Sequence, residues 1–283
     1  MKRDLFVGYL ITYVISASIN YFFVKFGLKY SPPLGYMALR TLLAGIVLGI
    51  VSLVMNNKYF LIMNKDFLLL SLFASLSTAL WAYGLVYVDP GSSAIFSYTM
   101  PLFAILLSVV ILHERPRIMS IIGTVIGFIG VTIYGISSIA RGVPLIGALL
   151  TIANSIFWAL YSIYFRKLGN YDGIIVVSNM FIVNAVILTL MGFLVNGMHV
   201  FEISWTQSFI LNLLGTALIG GSTLFLVWYF MINTLGVSNV MPYIFIVPAF
   251  TLLLNYLILG MEPTIPELIG SAIMFLGIYL STT

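Results

Sequence analysis

The chain has 283 residues, 61% of them hydrophobic and only 7% charged, against roughly 45–50% apolar and about 25% charged in soluble domains. That balance excludes a soluble globular enzyme, a disordered chain and a nucleic-acid-binding domain. The net charge of +4 comes from 12 basic residues that are spread along the chain rather than clustered, so there is no patch for a phosphate backbone. A membrane-spanning helix needs about 20 mostly apolar residues, so the length holds about ten spans.

The chain opens with Met1-Lys2-Arg3-Asp4 and an apolar stretch, like a signal peptide, and Ser16-Ala17-Ser18 resembles a cleavage site. The apolar run continues to Val24, too long for an h-region, so a retained first span is expected over Leu5–Val24. Leu34–Val54 follows, with Ser31 before Pro32 reading as a cap and a proline at the first helical position. Phe67–Val86 is the third span, and Ser92–Leu112 the fourth, opened in the same way by Asp89-Pro90. Ile118–Ser137 completes the first half. The second half gives Pro144–Phe165, Ile174–Val195, Phe209–Ile232, Val237–Leu259 and Ile265–Leu280. Thr264 and Glu267 frame the last start as a capping box.

Lys and Arg on alternate loops set orientation. One side collects Lys2, Arg3, Lys58, Lys65, Arg115, Arg117, Arg166 and Lys167; the other has Lys25, Lys29 and Arg141, with Arg40 inside a span. Both termini are therefore expected in the cytoplasm. With five spans per half, the halves have opposite orientations.

The halves are also related in sequence. Pro101 set on Pro248 gives 13 identities in 31 ungapped positions, including Phe103/Phe250, Pro116/Pro263, Gly123/Gly270 and Gly130/Gly277. Hydrophobic composition does not align prolines and glycines. An inverted repeat of this kind is a mark of secondary transporters, whose substrate sits between the halves.

At these positions the chain resembles a known family. Ser31-Pro32-Pro33 with Ala38-Leu39-Arg40, and the block from Tyr83-Gly84 through Pro101 to His113-Glu114-Arg115, are similar to EamA-type transporters of the drug/metabolite transporter superfamily. Trp158-Ala159-Leu160-Tyr161, Trp228-Tyr229-Phe230 and Gly260-Met261-Glu262-Pro263 continue the likeness through the second half. The family's common tryptophan in span one is missing near Ala17, where Asn20 remains the polar residue. The resemblance implies two tandem units, residues 1–140 and 141–283, forming one all-α transport domain of ten helices in two inverted five-helix repeats. It also implies cytoplasmic termini in the cell membrane and export of small molecules.

Enzyme chemistry finds no support. There is no GxxxxGK[ST] loop for ATP, His113 and His199 stand apart, and no closely spaced acid pair exists for Mg²⁺. Without cysteine there is no thiol nucleophile or zinc ribbon either. No cofactor is expected. The expected partners are a small-molecule substrate and the lipid bilayer.

Polar groups within spans are costly unless they face protein or water. Thr12, Ser16 and Asn20 share one helical face, as do Asn154, Trp158 and Tyr161 in the repeat-mate span. The Ser and Thr members read as helix packing; Asn20, Asn154, Trp158 and Tyr161 read as cavity wall. Trp81 (with Ser77 and Gly84 on its face), Tyr98, Ser222 and Tyr243 join them as candidates. Tyr83, Tyr87 and Tyr229 fit an interfacial belt. Pro101 and Pro248 each free a backbone carbonyl, as hinges or as tolerated kinks. Arg40, roughly 10 Å below the outer face, either serves function or snorkels outward. Gly123-x-x-x-Gly127 reads as helix packing, with a homodimer contact as the alternative. Glu114 and Glu262 are expected to cap the helices that follow them.

No acid lies mid-span, so no proton or sodium relay is visible. Facilitation, exchange and coupling through Tyr and water stay open. The expected function is secondary export of a small neutral or zwitterionic metabolite, with amino acids as the example. A channel-like facilitator and a non-transporting structural or sensory protein are the alternatives.

Overall fold

The computed structural model describes residues 3–56 and 58–282; Lys2, counted above for orientation, lies outside the described residues. Ten helices follow in order: α1 (Arg3–Gly27), α2 (Pro33–Asn56), α3 (Lys65–Tyr87), α4 (Pro90–Leu112), α5 (Ile118–Ala140), α6 (Leu145–Lys167), α7 (Gly173–Asn196), α8 (Gln207–Leu235), α9 (Val237–Leu259) and α10 (Ile265–Thr282). Nine are long and apolar enough to span a membrane, and α10 is a shorter apolar helix. Every end falls within three residues of expectation. Among the described residues there is no strand.

Local chemistry sets the helix starts. Asn64, Asp89, Asp172 and Thr206 each accept a backbone N–H of the following first turn. At α10 the Thr264 amide donates to Glu267 Oε2 at 2.8 Å, and the Glu267 amide donates to Thr264 Oγ1 at 3.4 Å. Ser31 departs from expectation: α2 starts at Pro33, and the serine hydroxyl donates to the Pro32 carbonyl. Lys25, counted above as a loop cation, sits in the last turn of α1 and donates to the carbonyls of Leu85 (2.7 Å) and Val88 (2.8 Å). It thereby neutralises the negative end of α3.

The packing is pseudo-two-fold. Helices α2 and α7 pack on each other, as do α5 and α10, and both pairs are repeat mates. The α3–α6 pair has its counterpart in α8–α1, and α4–α6 in α9–α1. The α5–α10 contact is carried by glycine. A Cβ on Gly130 would lie 2.5 Å from the Gly270 carbonyl oxygen, and one on Gly123 would strike that of Gly277. Gly127 faces Phe245 of the same chain. The glycine face is therefore spent inside the protein, and the homodimer reading loses its proposed contact.

Three helices break their regularity near mid-length. Helix α4 is interrupted between Ser97 and Met100, just before Pro101. Helix α9 tightens into a 3₁₀ turn over Met241–Phe245, just before Pro248. Prolines that cannot donate to the carbonyl four residues back account for both: Pro101 in α4, and Pro242, inside the turn, together with Pro248 in α9. Helix α8 widens into a π-helix over Thr216–Thr223 around the Gly220-Gly221 pair, and such bulges gather at functional positions.

The loop acids behave differently from expectation. Glu114 does not cap α5, whose start at Arg117 has no side-chain cap. It accepts instead from the amides of Val237 and Ser238, both at 3.0 Å, at the start of α9. The repeat mate of Asp89, which caps α4, is Gly236, which has no side chain and a φ of 82°. Glu114 reaches across from the other half to fill that role. Glu262 lines a pocket at the opposite face with Asp89 and Glu267.

Candidate substrate cavity

A central cavity lies where the halves meet. Helix α1 contributes Asn20 and Tyr21, α2 Arg40, α3 Ser77, Thr78 and Trp81, α6 Asn154, Trp158 and Tyr161, and α8 Phe225. The mates α1 and α6 thus face one another across a space. Their main packing partners are elsewhere, α8 and α9 for one, α3 and α4 for the other.

The polar wall is held by second partners. Asn154 accepts from the Ser77 hydroxyl at 2.6 Å and donates to Ser97 Oγ at 3.2 Å, which fixes its amide between α3 and α4. Asn20 Oδ1 accepts from Thr216 Oγ1 at 2.7 Å, tying α1 to the π segment. Arg40 donates through Nη2 to the Gly220 carbonyl at 2.8 Å and through Nε to that of Thr216 at 3.4 Å. Its guanidinium also lies 5.8 Å from the ring centroids of both Trp81 and Phe225, a cation–π arrangement. The Trp81 and Trp158 indole N–H groups are buried without a partner, although buried Trp normally finds one.

Five sequence candidates therefore come together: Asn20, Trp81, Asn154, Trp158 and Tyr161. Arg40 belongs with them, 1% exposed, so it does not snorkel. Three other candidates lie off the wall. Tyr98 stands behind it, edge-on to Trp158 and with its hydroxyl 3.4 Å from that of Tyr13. Ser222 is used up inside the π segment, donating to the Ala217 carbonyl at 3.2 Å. Tyr243 packs edge-on against Phe6. Trp228 likewise donates to Ser162 Oγ and rests against Tyr13. Tyr229 is no belt residue: it is buried, and its hydroxyl donates to the Leu168 and Tyr171 carbonyls of the α6–α7 loop. Tyr83 is half-buried and donates to Asn196 Oδ1, while Tyr87 is exposed. Sequence reading missed Tyr21, Thr78 and Phe225. The first two adjoin Asn20 and Ser77; Phe225 lies three positions past Ser222, in the helix that the π segment rewinds.

The EamA-like transporter family model matches residues 5–136 and 145–283. The chain belongs to that family. Each match spans one set of five helices, so two EamA units follow in tandem. An uncharacterized transporter encoded in the sor 3′ region of Acidianus ambivalens is 39% identical over 246 residues, covering 87% of this EamA chain and 92% of that protein. The uncharacterized transporter YvbV of Bacillus subtilis is 28% identical, over 95% and 89% of the two chains. One solved crystal structure superposes with a TM-score of 0.79 at 18% identity, covering 99% of this chain and 97% of that one. That is a likeness of fold. As an EamA protein this chain is a multi-pass membrane transporter and not an enzyme.

Proposed function

We propose that the chain is a secondary transporter that exports a small, amino-acid-sized metabolite by alternating access through the central cavity. The observation that carries this reading is the cavity itself. It lies between two five-helix units and is walled by polar groups, of which Asn20 and Asn154 are 3% exposed. Buried polar side chains around empty space are costly in a membrane unless something polar visits them. The two units, residues 1–140 and 141–283, rock against one another, and the broken segments before Pro101 and Pro248 are the hinges. Such gating sets turnover rather than site chemistry.

Counterflow exchange in proteoliposomes tests this. A carrier shows uptake of labelled substrate stimulated by unlabelled substrate on the other side; a channel-like facilitator does not. In the same assay Asn154→Ala and Trp158→Ala are expected to weaken affinity by about 1–3 kcal/mol each, the scale of a lost buried hydrogen bond or aromatic contact. Pro101→Ala and Pro248→Ala should slow exchange with affinity nearly unchanged. Unchanged affinity in both wall variants, or full turnover in both proline variants, would remove those residues from the mechanism.

The cell membrane, with both termini cytoplasmic, is the expected setting. The native chain has no cysteine, so single-cysteine variants report cleanly. Cysteines replacing Lys58, Lys65 or Lys167 should react with an impermeant maleimide only from the cytoplasm, and those replacing Lys29 or Arg141 only from outside. Labelling of both sets from one face would contradict the opposed halves.

A further inference from the structure

The wall of the cavity carries one fixed positive charge and several free N–H donors, with the Tyr21, Thr78 and Tyr161 hydroxyls able to donate or accept beside them. Arg40 supplies the charge. Its guanidinium has five N–H donors. Nε and one Nη2 hydrogen go to the carbonyls of Thr216 and Gly220, and one Nη1 hydrogen goes to Met37 Sδ at 3.8 Å. Nη1 and Nη2 each keep one N–H, a fork of the kind that fits a carboxylate. Further donors are the two unpartnered indoles of Trp81 and Trp158 and the Asn20 amide nitrogen, whose oxygen is already engaged by Thr216. The Asn154 oxygen is likewise engaged by Ser77.

No acid balances the charge. All eight Asp and Glu lie at helix ends or in loops: Asp4, Asp66, Asp89, Glu114, Asp172, Glu202, Glu262 and Glu267. Among the described residues, the ion pairs join Arg141 to Glu267, Lys167 to Asp66 and His199 to Glu202, none of them at the cavity. A buried, unpaired cation is expensive even when carbonyls and aromatic faces surround it. A visiting anion would relieve that cost.

The remaining wall is aromatic. Tyr161 stacks between Trp158 and Phe225, with centroids 6.3 and 5.8 Å away. Such a surface suits an apolar body. One positive charge matches one negative charge, so a phosphate dianion would be left under-compensated. An ammonium group would instead be repelled by the Arg40 charge, with no acid in the wall to offset it.

We propose that the cavity binds a monocarboxylate anion with an aromatic or apolar body, its head held by Arg40 beside Asn20 and Trp81. This rests on the transport reading only for where the site lies, and it favours an anion over the neutral and zwitterionic classes expected from sequence.

Calorimetry on the purified full chain in detergent separates those classes with three ligands of one carbon skeleton: 3-phenylpropionate, its amide, and phenylalanine. The acid should bind about tenfold or more tighter than either of the others, the scale of one charge-assisted pairing. In Arg40→Gln that preference should fall to within about twofold, since the fork is gone. Arg40 also anchors the π segment, so this variant can fail to fold; the wild-type comparison then decides alone. Equal or tighter binding of the amide, tighter binding of phenylalanine, or no binding of the acid each overturns the proposal. Acid-selective binding without counterflow would sink the transport reading and leave the ligand class standing. Counterflow of some other load with amide-selective binding would do the reverse.

Discussion

Replacing Gly130 with valine is expected to stop α5 and α10 from closing on each other. The added Cβ would lie 2.5 Å from the Gly270 carbonyl oxygen and 2.9 Å from the Met274 backbone nitrogen. Both obstacles are backbone, so no side chain can swing aside and the helices must part. Overpacking in a tight interface costs about 1–3 kcal/mol, and more where the backbone cannot shift. In a membrane the loss is sharper, because lipid-immersed helices associate chiefly through close packing of small residues. Gly270→Val should do the same from the other side, with Gly130 O 2.6 Å from the new Cβ. Gly142→Ala supplies the contrast, since no atom lies within 4 Å of its Cβ position and its cost is confined to a φ of 90°. Thermal unfolding followed by size exclusion reads the difference. A Gly130→Val protein as monodisperse and heat-resistant as wild type would show that this face tolerates separation.

Glu114→Ala should loosen the start of α9. The carboxylate accepts from the Val237 and Ser238 amides and from the Ser238 hydroxyl at 2.6 Å. Removing it leaves first-turn N–H groups without an acceptor, at about 1–3 kcal/mol for a buried donor. The replacement cannot come from the neighbouring residue, because Gly236 has a backbone conformation that residues with a Cβ rarely adopt. Amide hydrogen exchange at Val237 and Ser238 should speed up by an order of magnitude or more, following about 1.4 kcal/mol per tenfold. Exchange at Ser92 and Ser93, capped by Asp89 within its own half, should hold steady. Acceleration at both helix starts would mean a global loss of stability instead of a lost cap.

The Glu114 contact also illustrates how the halves are joined at the two faces. Where α1 begins, Glu114 meets α9 and Lys167 lies 3.7 Å from Asp66. At the other face Asn255 donates to Asp89 at 2.7 Å, and the Ser137 and Thr264 hydroxyls meet at 3.0 Å. These part-buried polar links are of modest worth individually, and the proposed alternating access would break and remake them. The glycine seam between α5 and α10 is of the other kind, buried and closely packed backbone against backbone.

Much of this protein is legible in its residues. Apolar length and the lack of charge fix ten helices in lipid, since a backbone without water must bond to itself. Asp89 and the Thr264–Glu267 box mark their helix starts because capping is local. The matched prolines Pro101 and Pro248, with Pro242 in α9, lie at the two broken helices because a missing N–H acts within four residues. Asn154, Trp158 and Tyr161 share a face by helical period alone, and that face reaches the cavity. The period does not say how each helix is rotated or where its regularity fails. The π segment of α8 shifts every later side chain, which takes Ser222 off the wall and brings Phe225 onto it. Tyr98 and Tyr229 are claimed by partners far along the chain. Depth along α2 suggested that Arg40 could reach the outer face; the carbonyls that the π segment exposes hold it inside. Sequence determined the helices, their order and the residues able to bind. Tertiary packing decided which of them meet, because contacts between helices, and not within them, set rotation and irregular turns.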